Sequence, residues 1–228
     1  MNEIMTAIPE LEKRIGYVFK DKSLINEALT HSSYANEKKI NKKACNERLE
    51  FLGDAVLELI SSEYIFTNYP DMPEGRMSTL RASLVCEEAL SISASRIGLG
   101  ELIFLGKGEE QGGGRKKPSI TSDAMEALIG AIYLDGGKDE AARLINSIVL
   151  DDVAGHLAMH DPKTALQEKV QAKGSNDIVY KLINESGPEH EKTFTVSLFI
   201  DGKAVSEGTG SNRKNAEKDA ARAALRSM

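Results

Sequence analysis

The sequence predicts an all-α domain of about 150 residues followed by a small α+β domain of order α-β-β-β-α. Three observations carry that expectation. Apolar residues recur at helical spacing through the first two thirds of the chain, with no strand alternation between them. The strongest strand signal lies late, at TFTVSLFIDGK (residues 193–203), where Phe194, Val196, Leu198 and Ile200 alternate with Thr195, Ser197 and Phe199. The charge balance also shifts: the first 160 residues hold 18 Lys+Arg against 25 Asp+Glu, the remainder 11 against 10. The overall net charge of −6 argues weakly against a nucleic-acid partner, but the average hides this asymmetry.

Taken in order, NERLEFLGDAVLELI (residues 46–60) predicts a helix with four carboxylates among Leu, Phe, Val, Ile and Ala. At about 100° per residue, Glu47, Glu50, Asp54 and Glu58 fall within a stripe about 80° wide. Between Leu49 and Ser61 there is no basic residue, so the pattern reads as a mostly buried helix with one acidic stripe. GEEQGGGRKKP (residues 108–118) reads as a flexible basic loop. A second helix is expected over residues 122–137, with Ser122 as N-cap and Gly136-Gly137 as its end. Asp123 and Glu126, three apart, share one of its faces. Cys45 and Cys86 lie in helix-like segments without metal or redox spacing and are expected to be buried and reduced. No apolar run approaches the ~18 residues needed to span a bilayer, and the N-terminus lacks the pattern of a secretory signal. A cytoplasmic location and no membrane partner are therefore expected.

The boundary falls near residues 151–162, where Asp161-Pro162 offers an N-cap and first-turn proline. The next helix carries Thr164, Gln167, Glu168 and Gln171 on one polar face. After the strands, with a hairpin turn at Asp201-Gly202, a glycine-punctuated loop enters an alanine-rich helix that begins near Arg213 and Lys214. Clustered cations at a helix start hold phosphates; alone they are more often a solvated face, but the order helix, three strands, helix makes the pattern more specific.

Two apolar helices with acidic stripes repel if they pack directly, and an unpaired buried carboxylate is unfavourable by several kcal/mol. A cation between them resolves the conflict. No His or Cys cluster suits zinc, whereas an all-carboxylate set suits Mg²⁺ or Mn²⁺. The alternative is that these are solvated faces and first-turn carboxylates. A carboxylate-held divalent ion most often serves phosphate chemistry.

The motifs LTHSSYANE (residues 29–37), NERLEFLGDAVL and SDAMEALIGAIYLDGG closely resemble the signature of bacterial ribonuclease III, a match covering roughly residues 11–149. Residues 161–228 resemble a double-stranded-RNA-binding domain, with GPEHEKTFTV and SEGTGSNRKNAEKDAA at its middle loop and second-helix start. The resemblance implies a nuclease domain (8–150), a linker (151–160) and an RNA-binding domain (161–228). It further implies a homodimer through the nuclease domain that cuts double-stranded RNA with Mg²⁺, for which Mn²⁺ substitutes. Each subunit would cut one strand, leaving 5′-phosphates and short 3′ overhangs on precursors of rRNA and other structured RNA. By the same resemblance Glu50, Asp54, Asp123 and Glu126 hold the metal, with Asp54 and Glu126 the critical catalytic pair. Glu47 and Glu74 become supporting or dimer-contact residues, and Glu58 matches no functional position. Thr164, Gln167 and Glu168 would meet one minor groove, His190 the next, and Arg213 and Lys214 the phosphates between. Where that family usually has three cations at the second helix, Ser211-Asn212 precede only two. A relic nuclease domain on a non-cleaving RNA binder, or a ribosome-associated structural protein, is disfavoured because all four carboxylates are present.

Overall fold

The computed structural model describes residues 2–39, 44–172, 174, 177–188 and 192–228. The chain separates into two compact units, Met1–Asp151 and Asp152–Met228.

In the first unit α1 (Asn2–Ile15), α2 (Lys22–Ala28) and α3 (Ser32–Glu37) lead into the long α4 (Glu47–Asn68). Then follow α5 (Glu74–Leu84), α6 (Glu87–Arg96), α7 (Lys107–Gln111), α8 (Pro118–Gly136) and α9 (Lys138–Leu144). Helix α8 is the centre: Ala124, Met125, Ala127, Leu128, Ile129, Ala131 and Ile132 are all fully buried. A helix apolar on nearly every side must be surrounded, and α2, α4, α6 and α9 pack around it. Each large side chain so enclosed contributes about 1.5–3 kcal/mol.

Three expectations for this unit need correction. Helix α8 begins at Pro118, not Ser122, because the fixed φ of proline suits the first helical position; Ser122 lies inside the helix and its hydroxyl donates to the Ser119 carbonyl. Residues 108–118 are not a flexible loop. They form α7 and a 3-10 turn at Gly114–Lys116, and Arg115 locks them. Its Nη1 donates to the carbonyls of Gly100 (3.1 Å), Glu101 (2.8 Å) and Ile103 (3.1 Å), while Nε and Nη2 grip Glu110. Neither cysteine is in a disulfide, but only Cys45 is buried; Cys86 is exposed as the residue preceding α6.

The second unit opens with α10 (Val153–His160), which occupies the stretch expected as a linker and is capped by the Asp152 carboxylate accepting from the Gly155 N–H. Next come α11 (Pro162–Ala172), strands β1 (Ile178–Ser186), β2 (Thr193–Ile200) and β3 (Lys203–Gly210), and α12 (Arg213–Ser227). The strands form one antiparallel sheet of order β1-β2-β3. The β2–β3 turn is two residues long, with Asp201 and Gly202 both at positive φ (49° and 76°), the twist a tight hairpin requires. Leu166, Val170, Leu198, Ala220, Ala221 and Ala224 form the core between the helices and one sheet face. Gly208 and Gly210 let α12 lie close against β3: a Cβ on Gly208 would stand 2.0 Å from the Ala220 nitrogen.

Candidate active site and RNA-binding surface

Helices α4 and α8 cross backbone to backbone. A Cβ on Gly53 would lie 1.8 Å from the Glu126 carbonyl oxygen, and one on Gly130 would lie 2.3 Å from that of Leu49. Only glycine permits this approach, and the acidic positions straddle it: Glu50 and Asp54 on α4, Asp123 and Glu126 on α8. Their charges are felt across the gap. Burial first, then Asp54, Glu50 and Asp123, push the Glu126 carboxyl up to about 7. Burial, Asp123, Glu47 and Asp54 raise Glu50. Asp123 is raised by burial and by Glu87, against a lowering hydrogen bond from Ser122 and the nearby His31.

Glu87, the first residue of α6, was not singled out from the sequence. Nothing in its local pattern separates it from an ordinary first-turn carboxylate; only the packing of α6 on α8 brings it near Asp123. Glu58 shares the acidic stripe by angle but not by location. It pairs with Arg81 of α5 at 3.3 Å, so its charge is already balanced.

The donor set consists of four carboxylates from two helices, with no Lys or Arg ion-paired to any of them among the described contacts. Hard divalent cations prefer such oxygen ligands, and the raised Glu126 and Glu50 mark an electrostatic demand for positive charge. The side chains are neighbours, not a closed ligand shell: no group of three or more His, Cys, Asp or Glu is gathered into a metal-holding cluster among the described residues. The donor chemistry fits a divalent ion.

A family pattern described as Ribonuclease-III-like matches residues 21–153, and the double-stranded RNA binding motif matches residues 162–228. Ribonuclease 3 of Caldanaerobacter subterraneus is 48% identical over 94% of this chain and 95% of its own length. Ribonuclease 3 of Staphylococcus aureus is 44% identical over 94% of this chain and 89% of its own. This chain belongs to the ribonuclease III family. The nuclease domain of ribonuclease III from Campylobacter jejuni is similar in structure, with a TM-score of 0.59 and 44% identity, covering 63% of this chain and 96% of that one. Ribonuclease III proteins are divalent-metal-dependent nucleases, and with the RNA-binding motif on the same chain this one is a double-stranded-RNA endoribonuclease. No helix among the described residues is long and apolar enough to cross a membrane.

Glu47 is the exposed first residue of α4 and adds to the field on Glu50. Glu74 opens α5, accepts from the Ser78 hydroxyl at 2.9 Å, and lines an apolar groove of about 470 Å³ with Leu59, Ile65, Phe66 and Met77. The expectation of a mostly buried α4 is met on one side only: Phe51 is 81%, Leu59 56% and Phe66 72% exposed.

In the RNA-binding unit, Gln167, Arg213 and Lys214 are exposed and Glu168 is half-buried. Thr164 departs from the expectation. It is 5% exposed, not on an open polar face, and its hydroxyl donates to the Asp161 carboxylate at the start of α11. His190 lies outside the described residues. Asn212, adjoining the reduced cation cluster, caps α12 by accepting from the Asn215 N–H at 2.9 Å.

Proposed function

We propose that this chain hydrolyses phosphodiester bonds of double-stranded RNA as a homodimer, using Mg²⁺ held by Glu50, Asp54, Asp123 and Glu126, with Mn²⁺ able to substitute. The observation that carries the reading is the glycine-mediated crossing of α4 and α8, which faces uncompensated carboxylates of the two helices toward each other. When bound, the ion supplies charge to a phosphoryl oxygen and makes a water molecule acidic enough to attack. The chain's own residues fix the ligands on two rigid helices, and the mutual repulsion of their carboxylates is what a bound cation would relieve. Asp54 and Glu126 are the pair on which the chemistry depends. Glu47 and Glu74 support the site or a subunit contact.

A duplex has two strands and one carboxylate set serves one cut, so two copies are needed for a double-strand break. The exposed Phe51, Leu59 and Phe66, the last two lining the groove between α4 and α5, supply apolar surface whose burial against a second copy is favourable. Products would carry 5′-phosphates and short 3′ overhangs. Residues 161–228 hold the duplex through Gln167 and Glu168 at the minor groove and Arg213 and Lys214 on phosphates, and residues 8–150 cut it. Precursors of rRNA and other structured RNAs in the cytoplasm are the substrates we assign. The test is incubation with long duplex RNA on a denaturing gel: cutting with Mg²⁺ or Mn²⁺, none in excess EDTA, and none of single-stranded RNA. Full activity in EDTA would refute the reading.

A further inference from the structure

Glu217 of α12 is held by cations from two helices. Its Oε2 accepts from Lys163 Nζ, the second residue of α11, at 2.7 Å. Its Oε1 accepts from Arg213 Nε, the first residue of α12, at 2.9 Å. The Glu217 side chain is only 15% exposed, whereas Arg213 stays 60% exposed. Lys163 is fixed a second time, its Nζ lying 4.5 Å from the centre of the Tyr180 ring. Burial alone would raise the Glu217 carboxyl; the hydrogen bonds and charges of Lys163 and Arg213 outweigh it and lower it.

The geometry of Arg213 is informative. A guanidinium has five N–H donors in a rigid fork. Held by Nε from its inner side, it has no partner on either terminal nitrogen among the described contacts, the arrangement suited to bidentate recognition of phosphate. Resting on the reading that Arg213 contacts RNA phosphates, we propose that Glu217 is a positioning residue for duplex binding. It orients the Arg213 fork outward and, through Lys163, ties the start of α11 to the start of α12. The shared carboxylate would then add a polar tie between the starts of two helices whose apolar faces already pack together.

Simple electrostatics and positioning predict opposite signs. Removing a negative charge beside a phosphate site strengthens binding by charge alone. Loss of orientation weakens it. The experiment measures binding of the full chain to a duplex of ~16 bp, the length one such domain spans, in EDTA so that nothing is cut. Four proteins are compared: wild type, Glu217→Gln, Arg213→Ala and the double variant. We expect each single change to weaken binding roughly ten-fold, the size of one charge-assisted hydrogen bond, and the double variant to be no weaker than either. Thermal unfolding of each protein verifies that the fold is retained. If Arg213→Ala binds as wild type, the phosphate-contact reading fails and the proposal with it. If Arg213→Ala weakens binding but Glu217→Gln leaves it unchanged or tightens it, the proposal alone is overturned. Losses that multiply in the double variant would also overturn it, since they would mark Glu217 as acting independently of Arg213.

Discussion

The two units use glycine in the same way and charge in opposite ways. In each, a glycine lets a helix backbone reach contact distance with its neighbour: Gly53 against Glu126 in the first unit, Gly208 against Ala220 in the second. In the second unit the adjacent acids are balanced. Glu217 has two cations, and Asp219 accepts from the Thr209 N–H at 3.0 Å. In the first unit the adjacent acids face other acids, and Glu126 is pushed up to about 7. Close packing alone therefore does not make a reactive site. The difference lies in whether the fold supplies the counter-charge or leaves it to a ligand.

The largest expected effect comes from removing one of the uncompensated acids. Glu126→Gln keeps size but removes one carboxylate, so cleavage of duplex RNA should fall by several orders of magnitude, as expected for loss of a Mg²⁺ ligand. Duplex binding, which belongs to the other unit, should stay near wild type by gel shift. A variant that still cuts at a comparable rate would erase the contrast between the units.

Removing residues 161–228 tests the reverse. Binding at ordinary salt should fall by orders of magnitude while cutting persists at low salt, because phosphate contacts are lost and the acidic site is kept. Equal affinity at about 150 mM salt, near physiological ionic strength, would mean the phosphate contacts lie elsewhere.

The glycines themselves come next. Gly53→Ala places a carbon where the Glu126 carbonyl stands, and Gly208→Ala places one on the Ala220 nitrogen. Each should cost about 3 kcal/mol or more, read by urea denaturation, because backbone cannot move aside as a side-chain end can. Gly53→Ala should abolish cutting and spare RNA binding; Gly208→Ala should do the opposite to binding.

A smaller effect separates the units by pH. Without a divalent ion, the fold favours protonated Glu126, whose carboxyl is raised from the ordinary 4.5 to about 7. The stability this group contributes is complete below pH 4.5 and lost as pH rises through about 7. In EDTA the wild-type melting temperature should therefore fall relative to that of Glu126→Gln across this range. Saturating Mg²⁺ should reduce the gap at neutral pH. A constant difference between the two proteins would show that Glu126 titrates normally.

The smallest effect belongs to Glu58→Gln, which should leave the cleavage rate within a few-fold, since Glu58 is paired with Arg81. Inactivation by this change would move the site further along α4.

These contrasts also show what the sequence could carry. Helical periodicity located the acidic stripes and strand alternation located β2, because both patterns depend on local geometry. An angle does not say which neighbour a residue meets. Helix α4 has 22 residues, about 33 Å of length, and α8 crosses it at Gly53, so Glu58 one turn beyond Asp54 meets α5 instead. Arg115 looked like part of a solvated basic run because its three carbonyl partners are 12–15 residues away in sequence. Thr164 looked exposed because its side of α11 is polar, while its hydroxyl is used by the Asp161 carboxylate.

The exposed thiol of Cys86 has a practical consequence. Burial raises the Cys45 thiol and hides it, so alkylating reagents should choose Cys86 in the unaltered chain. A fluorophore attached there sits one residue from Glu87, whose charge reaches Asp123. Its emission would register an ion arriving among the carboxylates, giving an optical titration of the metal site in the absence of RNA.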